Sequence, residues 1–264
     1  ALVVALGGGV IGDLAGFVAS IYQRGIDLIH LPTTLLAQVD SSIGGKVAVN
    51  HPLGKNMIGS FYQPLGVWAD LSCLKTLPER EWQAGLAEVI KYGVIWDEGF
   101  FDFLAENALL LKRRDIDCAR EVIFRSCQIK AAIVEQDEQE QGLRTLLNFG
   151  HTFGHALEKV TKYQVYRHGE AVAIGMSMAS KLAVYLNLCE ETVIEKLLFI
   201  LGRIGLPVSM PEFVALEDIL TSLNLDKKIR KKELVFVLPR SIGKVEIVKG
   251  IGIESIRNCF IKKG

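Results

Sequence analysis

The stretch Leu2-Val3-Val4-Ala5-Leu6-Gly7-Gly8-Gly9-Val10-Ile11-Gly12-Asp13 decides the fold class. Its first five residues are a continuous apolar run, which is typical of a strand buried on both faces of a parallel sheet. Three glycines end the run, and an apolar-periodic segment to about residue 22 then predicts a helix. Gly7, Gly9 and Gly12 therefore match G-x-G-x-x-G in the strand–turn–helix setting where a helix N-terminus binds the pyrophosphate of a dinucleotide.

The glycine-rich turn also has a plainer explanation, because a tight connection from strand to helix needs glycine. The second predicted strand, at residues 27–31, ends in His30-Leu31-Pro32 and lacks the acidic residue that usually holds the ribose hydroxyls. The pattern favours a dinucleotide, in an arrangement other than the standard one.

The predicted secondary structure changes from mixed strands and helices to mostly helices at residue 77. This change predicts two domains. Before it, strands are predicted at 2–6, 27–31, 46–49 and 67–69, helices from after Asp13 to about residue 22 and at 33–40, and a loop at 51–56. After it, helical patterns dominate at 79–92, 98–110, 115–135, 147–160, 169–187, 190–204 and 212–223, before a hairpin of 233–238 and 244–248. We predict part of an α/β nucleotide-binding domain at 1–77 and a mostly α-helical metal- and substrate-binding domain at 78–264.

Composition limits the function. A formal net charge of zero gives no global basic field for nucleic acid or an anionic membrane, and no apolar run reaches the ~18 residues that span a bilayer. Five scattered cysteines, none in a C-x-x-C pair, predict a reducing cytoplasm and argue against disulfides or a thiolate metal site. Because the chain begins inside a core strand without Met, we expect the natural protein to start upstream.

Three of the five histidines lie within 18 residues, at His151, His155 and His168. The first two are four residues apart and would share one helix face. Clustered imidazoles near a carboxylate suggest a metal site, although such pairs are also common as ordinary surface or core residues. If the helix extends back slightly, Asn148 lines the same face and Arg144 lies just before it, where it would bind an anion.

Glu88 and Lys91 lie three residues apart in an otherwise apolar helical segment. They are either a solvated ion pair or a buried functional pair, since a buried charge needs a partner. Glu88 with His151 and His168 would give three protein ligands and leave one position open, which is the pattern of catalytic zinc.

Polar residues around two glycine-containing turns suit a phosphorylated or polyhydroxylated ligand. They are Asp40-Ser41-Ser42-Ile43-Gly44-Gly45-Lys46, Asn50, Lys55 and Asn56. The alternative is that they decorate a hairpin. A turn at Asp226-Lys227-Lys228 either adds a further cation or is simply solvated.

Taken in order, these motifs resemble the 3-dehydroquinate synthase family of sugar-phosphate cyclases. The resemblance rests on residues 7–13, 32–42, 44–46, 51–56, 86–93, 147–155, 168–172 and 226–228, and it covers nearly the whole chain. The first part of that family's nucleotide domain, which supplies acidic contacts to the cofactor, has no counterpart in this sequence.

The resemblance implies an NAD- and metal-dependent lyase of the shikimate pathway to chorismate and the aromatic amino acids, in a cytoplasmic homodimer. It would convert 3-deoxy-D-arabino-heptulosonate 7-phosphate to 3-dehydroquinate and phosphate. It assigns zinc, or cobalt, to Glu88, His151 and His168. It assigns NAD to Gly9, Val10, Ile11, Gly12, Asp13, Thr33, Thr34, Lys46, Lys55, Cys73, Leu74, Lys75 and Thr76. It assigns substrate binding to Asp40, Lys46, Asn56, Lys91, Arg144, Asn148, His155 and Lys227.

Three other functions are compatible with the sequence. A related cyclase such as 2-deoxy-scyllo-inosose synthase shares the fold, the NAD and the metal, and the combination of Arg144, Asn148 and Lys227 argues against it. A metal-dependent dehydrogenase of the glycerol type needs no phosphate-binding cations, which this chain has. The third possibility is a metal-binding or assembly module without activity.

Overall fold

A computed structural model describes residues 1–51, 54–230 and 233–261, without the side chains of 226–230. Compactness divides the chain into two units. Unit 1 consists of Ala1–Val89 and Arg114–Arg144, and unit 2 consists of Ile90–Arg113 and Thr145–Gly264. The domain division expected at residue 77 remains a prediction.

The first part of the chain forms the elements of an α/β layer. They are β1 (Leu2–Gly7), α1 (Gly9–Ile21), β2 (Asp27–Pro32), β3 (Lys46–His51), β4 (Gly54–Phe61), β5 (Gly66–Val67) and the start of α2 (Glu79–Ile95). Strands β1, β2 and β5 form a parallel sheet in that order, as the apolar run predicts.

The expectation that β1 is buried on both faces is wrong. Leu2, Val4 and Leu6 are each more than half exposed, whereas Ala5 is 3% exposed and packs with Ala19 of α1 and Leu28 of β2. Alternate residues of a strand point to opposite faces, and α1 covers only the face that carries Ala5.

Thr34 begins the helix predicted after β2, because its Oγ1 accepts a hydrogen bond of 3.1 Å from the backbone N–H of Ala37. The helix ends in a π-helical turn at Ala37–Ser41. The loop predicted at 51–56 is wrong at both described ends, because His51 closes β3, Gly54 opens β4, and these strands pair antiparallel. Residues 52 and 53 lie outside the described chain.

The rest of the chain is mostly helical. It contains α3 (Glu98–Glu106), α4 (Ala108–Lys112), α5 (Ile116–Gln136), α6 (His151–Val160), α7 (His168–Tyr185), α8 (Glu191–Ile204), α9 (Leu216–Arg230), β6 (Val235–Ser241), β7 (Lys244–Lys249) and α10 (Ile253–Phe260). Asn107 divides the helix predicted at 98–110, and α10 has no counterpart among the predictions. Among the described residues, no helix has the length and apolar character needed to cross a membrane.

Helices α6 and α7 pack with their backbones in close contact. A Cβ added at Gly175 of α7 would lie 1.9 Å from the carbonyl oxygen of Gly150, just before α6. Gly150 has a φ of +79°, a left-handed conformation that glycine adopts without strain. This pair of glycines lets the start of α6 lie directly on α7.

Candidate active site

The close packing of α6 and α7 brings three imidazoles of unit 2 together. His151 and His168 are the first residues of their helices, and His155 lies one turn further along α6. The ring centroids of His151 and His168 are 5.2 Å apart, those of His151 and His155 are 5.4 Å apart, and those of His155 and His168 are 5.9 Å apart. The predicted histidine cluster is therefore a spatial cluster as well as a sequence motif.

Nearby acceptors orient two of these rings. Nδ1 of His151 lies 3.1 Å from the carbonyl oxygen of Phe149, so an Nδ1–H that donates there leaves the lone pair of Nε2 available. Nδ1 of His168 lies 3.5 Å from Oε1 of Glu158. Imidazoles held in this way have the orientation that metal-binding histidines usually show.

Glu158 is a residue that the sequence reasoning missed. Its side chain is 5% exposed, and one donor atom each of His155, Glu158 and His168 lie within 4.8 Å of one another. The available signal was spacing, because positions 151, 155 and 158 recur at four and seven residues and share one face of α6.

Asn148 does not share that face. It ends a 3-10 helix at Leu143–Asn148, and the left-handed Gly150 separates it from α6. The helix predicted at 147–160 therefore begins only at His151. The prediction that Asn148, His151 and His155 line one helix face is wrong, because the backbone changes direction between them.

Glu88 and Lys91 occupy successive turns of α2. Glu88 is 0% exposed in unit 1, and Lys91 is 1% exposed in unit 2, with its Nζ 5.1 Å from the ring centroid of Tyr92. The solvated ion pair considered from the sequence is therefore wrong. Two charged groups this deeply buried require polar or ionic compensation, which points to a functional role.

Unit 1 contains two acidic residues, Asp13 and Asp40, whose charges interact with the buried Lys130. Lys130 of α5 donates to Oδ1 of Asp40 at 2.7 Å and to the carbonyl oxygen of Asp40 at 2.6 Å. Burial, and after it the negative charge of Asp40, raise the pKa of Asp13 to about 6, although the positive charge of Lys130 opposes the shift. Asp13 and Asp40, predicted for cofactor and substrate respectively, thus lie in one electrostatic cluster.

Lys130 is the second residue that the sequence reasoning missed. It is 6% exposed and lies on the buried face of α5 next to Ile129. A lysine at a position where the helical period calls for an apolar residue was the available signal. A buried ammonium group that bonds a predicted substrate residue belongs to the candidate site.

The turn at Gly44 and Gly45 joins two more predicted residues. Lys46 forms an ion pair with Glu140, and Arg144, which is 2% exposed, donates from Nη2 to the carbonyl oxygen of Gly44 at 2.8 Å. Arg144 also donates from Nη1 to the carbonyl oxygen of Glu138. In this structure the guanidinium group holds the turn that carries Lys46.

Most of the predicted cofactor residues lie around the carboxyl ends of β1 and β2. Gly9 to Asp13 form the first turns of α1, Thr33 and Thr34 follow β2, and a cavity of about 340 Å³ lies beside them. It is lined by Leu6, Leu31, Pro32, Trp68, Asp70 and Cys73. Ligands of open α/β sheets bind at this edge.

Five further predicted residues lie in unit 1. Leu74, Lys75 and Thr76 follow Cys73 in the 3-10 helix Leu71–Thr76, and Lys55 lies in β4. Asn56 has a φ of +53°, and its N–H donates to Oδ1 of Asn50 at 3.1 Å. The side chain of Lys227, on α9 in unit 2, lies outside the described residues.

Comparison with known families and proteins gives consistent matches. The family model described as the N-terminal part of 3-dehydroquinate synthase matches residues 1–84, and the model of the C-terminal part matches residues 85–229. A 3-dehydroquinate synthase of Desulforamulus reducens is 54% identical over 249 residues, which cover 94% of this chain and 69% of that protein.

Two solved structures share the fold. A 2-epi-5-epi-valiolone synthase of Streptomyces hygroscopicus with NAD⁺ and Zn²⁺ bound has a TM-score of 0.90 at 31% identity, over 99% of this chain and 72% of that one. A 2-deoxy-scyllo-inosose synthase with carbaglucose-6-phosphate, NAD⁺ and Co²⁺ has a TM-score of 0.88 at 30% identity, over 97% of this chain and 72% of that one. The predicted fold class is thereby confirmed.

Proposed function

Because the chain belongs to the 3-dehydroquinate synthase family, and so is an enzyme of the sugar-phosphate cyclase type, we propose the reaction of that family for it. It converts 3-deoxy-D-arabino-heptulosonate 7-phosphate to 3-dehydroquinate and phosphate, as a lyase that uses NAD transiently. The observation that carries the proposal is the cluster of three imidazoles on α6 and α7, of which His151 and His168 are oriented by nearby acceptors. The 54% identity to a synthase of this name, against 30% to an inosose synthase, favours this substrate.

We assign a divalent ion, zinc or cobalt, to Glu88, His151 and His168. Two neutral imidazoles and one carboxylate are the ligand types of catalytic zinc, and they leave one coordination position open. Support comes from the 5.2 Å between the two imidazole centroids, from the Phe149 carbonyl behind His151, and from the burial of Glu88. A bound ion would supply Lewis-acid polarisation of a substrate hydroxyl.

We assign NAD to the glycine-rich turn and to the neighbouring cavity at the ends of β1 and β2. At Gly9, a Cβ would lie 2.9 Å from Oγ of Ser41, so glycine avoids a close contact at the start of α1. The apolar walls of the cavity, Leu6, Leu31 and Trp68, suit a flat ring, and backbone N–H groups at the start of α1 suit a pyrophosphate. Bound NAD would supply reversible hydride transfer.

The remaining residues bind and orient the substrate. Lys46, Lys91, Arg144 and Lys227 provide positive charge for phosphate and carboxylate groups, and Asn56 and Asn148 provide amides for hydroxyls. Asp40 is held by Lys130, so we add Lys130 to the predicted set as the residue that orients Asp40. Lys46 and Arg144 already bond Glu140 and Gly44, and an anionic substrate would compete with these contacts.

His155 is assigned to proton handling rather than to the metal. It is the exposed member of the cluster, and its ring lies within 6 Å of both other imidazoles by centroid distance. An accessible imidazole can both accept and donate a proton, which suits it to passing a proton to or from a bound hydroxyl or phosphate. The protein otherwise contributes orientation and electrostatics while phosphate leaves and the ring closes.

Phosphate release with catalytic NAD tests the proposal. The protein is incubated with the heptulosonate phosphate, zinc and substoichiometric NAD, and both phosphate and NADH are followed. Phosphate in excess of NAD, without net NADH, is the expected result. Release only from a hexose 6-phosphate would indicate another cyclase, net NADH from glycerol would indicate a dehydrogenase, and none of these would leave a non-enzymatic module.

We also propose a homodimer in the cytoplasm. The support is the family resemblance and the five free cysteines, which fit a reducing compartment. Sedimentation velocity of the purified protein at micromolar concentration would give the oligomeric state, and a monomer would contradict the proposal.

A further inference from the structure

Glu158 is a deeply buried carboxylate that the proposed reaction has not used. It lies on α6 seven residues after His151, and its side chain is 5% exposed. Removing a carboxylate from water costs several kcal/mol unless polar or charged groups replace the lost hydration. Because burial of this carboxylate destabilises the fold, we expect it to interact with a specific polar or charged group.

The partner is the imidazole of His168. Oε1 of Glu158 lies 3.5 Å from its Nδ1, and both groups belong to unit 2. His168 is also the first residue of α7, so the positive end of that helix dipole favours a negative charge near it. The carboxylate therefore faces the nitrogen of His168 that would lie away from a metal bound through Nε2.

We propose that Glu158 is the positioning residue for His168. It accepts the Nδ1–H of the imidazole, so it fixes the tautomer with the lone pair on Nε2 and holds the ring plane toward the metal. A carboxylate behind a metal-binding histidine also raises the basicity of the ligand. This inference rests on the proposed function, in which His168 is a metal ligand.

The arrangement parallels that of the other imidazole ligand. His151 has the carbonyl oxygen of Phe149 at 3.1 Å from its Nδ1, and His168 has Glu158 in the same role. Both rings would then present Nε2 to one ion. His155 also lies near Glu158, because one donor atom from each of His155, Glu158 and His168 lies within 4.8 Å of the other two. The competing arrangement is therefore one in which Glu158 itself binds the metal.

Zinc affinity, measured by competition with a chromophoric chelator, tests the positioning role. We expect Glu158→Ala to weaken zinc binding by about 10- to 100-fold, the usual loss when a group behind a ligand is removed. Glu158→Gln keeps an acceptor oxygen in the same shape, so the loss should fall to about tenfold or less but remain measurable. Glu195→Gln, at an exposed position of α8, is the matched control and should bind zinc like the unmodified protein.

Nitrogen NMR of histidine-labelled, metal-free protein gives a readout that is independent of turnover. His168 should carry its proton on Nδ1 in the unmodified protein and in Glu158→Gln, and a mixture of tautomers should appear in Glu158→Ala. Circular dichroism identifies variants that fail to fold, and Glu158→Gln then decides the question alone. Unchanged zinc affinity in a folded Glu158 variant, or an Nε2–H tautomer at His168, would overturn the inference.

Two further variants separate this inference from the proposed function. His168→Ala should lose zinc if His168 is a ligand, and retention of zinc there would refute the metal assignment itself. His151→Ala should also lose zinc. If it kept zinc while Glu158→Ala lost it entirely, the ion would be held by His155, Glu158 and His168, and Glu158 would be a ligand instead of a positioning residue.

Discussion

The contact of Gly175 with Gly150 gives the sharpest test of how the fold makes the histidine cluster. In Gly175→Ala, the new Cβ would lie 1.9 Å from the carbonyl oxygen of Gly150 and 2.8 Å from the backbone nitrogen of Gly154. Ordinary contact begins at 3.4 Å, so the start of α6 must move away from α7 by about 1.5 Å. The obstructing atoms are backbone, which cannot rotate away as a side chain can.

This displacement should reduce both stability and metal binding. Overpacking usually costs about 1–3 kcal/mol, and backbone clashes fall at or above the upper end of that range. We therefore expect the free energy of unfolding, measured by urea denaturation, to fall by about 3 kcal/mol. His151 follows Gly150 directly, whereas metal–ligand distances tolerate only about 0.2 Å, so zinc affinity should fall at least about tenfold.

Gly202→Ala is the matched control, because it makes the same chemical change in another helix. Gly202 lies in α8, its added Cβ would meet nothing within 4 Å, and the substitution should stabilise the helix by about 0.5–1 kcal/mol. Wild-type stability in Gly175→Ala would refute the packing argument. Lost stability with unchanged zinc affinity would instead show that this contact does not set the separation of His151 from His168.

Three other predictions address individual side chains. His151→Ala should abolish bound zinc in metal analysis, whereas His155→Ala should keep zinc and lower kcat; the reverse order would contradict the ligand assignment. Lys130→Met should lower kcat/KM by about 100-fold, because Asp40 loses the donor that orients it and a small misplacement of a substrate-binding group has an effect of this size. An unchanged kcat/KM would show that Lys130 does not belong to the site. The pKa of the Asp13 carboxyl is raised from 3.8 to about 6, so folding favours the protonated form of this group. The stability that the protonated carboxyl contributes is fully present below pH 3.8 and is lost as the pH rises through 6. Asp13→Asn should therefore raise the free energy of unfolding at pH 8 by about 1–2 kcal/mol, reduced for partial exposure, and much less at pH 4; equal effects in urea denaturation at both values would refute this.

Local patterns were enough for much of the fold. The apolar run before Gly7 predicted β1, and the helical period predicted α2, α5 and α7 within a few residues of their observed ends. Such elements are decided by short-range periodicity and by glycine or proline at their ends. The histidine motif, together with the resemblance, also identified the family and the candidate ligands before any distance was known.

Long-range packing decided the rest, because the sequence does not state which face a partner covers. One face of β1 is exposed because α1 packs only on the opposite face. The polar, glycine-containing stretch that follows β3 forms strand β4 because it pairs with β3. In the sequence, Lys130 and Glu158 resemble ordinary charged residues of helices. In the folded protein they are buried, and they contact Asp40 and His168 respectively.

His151 and His168 show the division most plainly. Their identity and their capacity to bind a metal can be read directly from the chain, since residue type is a local property and the ligand chemistry follows from the imidazole. Only the tertiary structure decided that the rings lie 5.2 Å apart, because that distance depends on two glycines, 25 residues apart, letting α6 rest on α7. No pattern within either helix contains that contact.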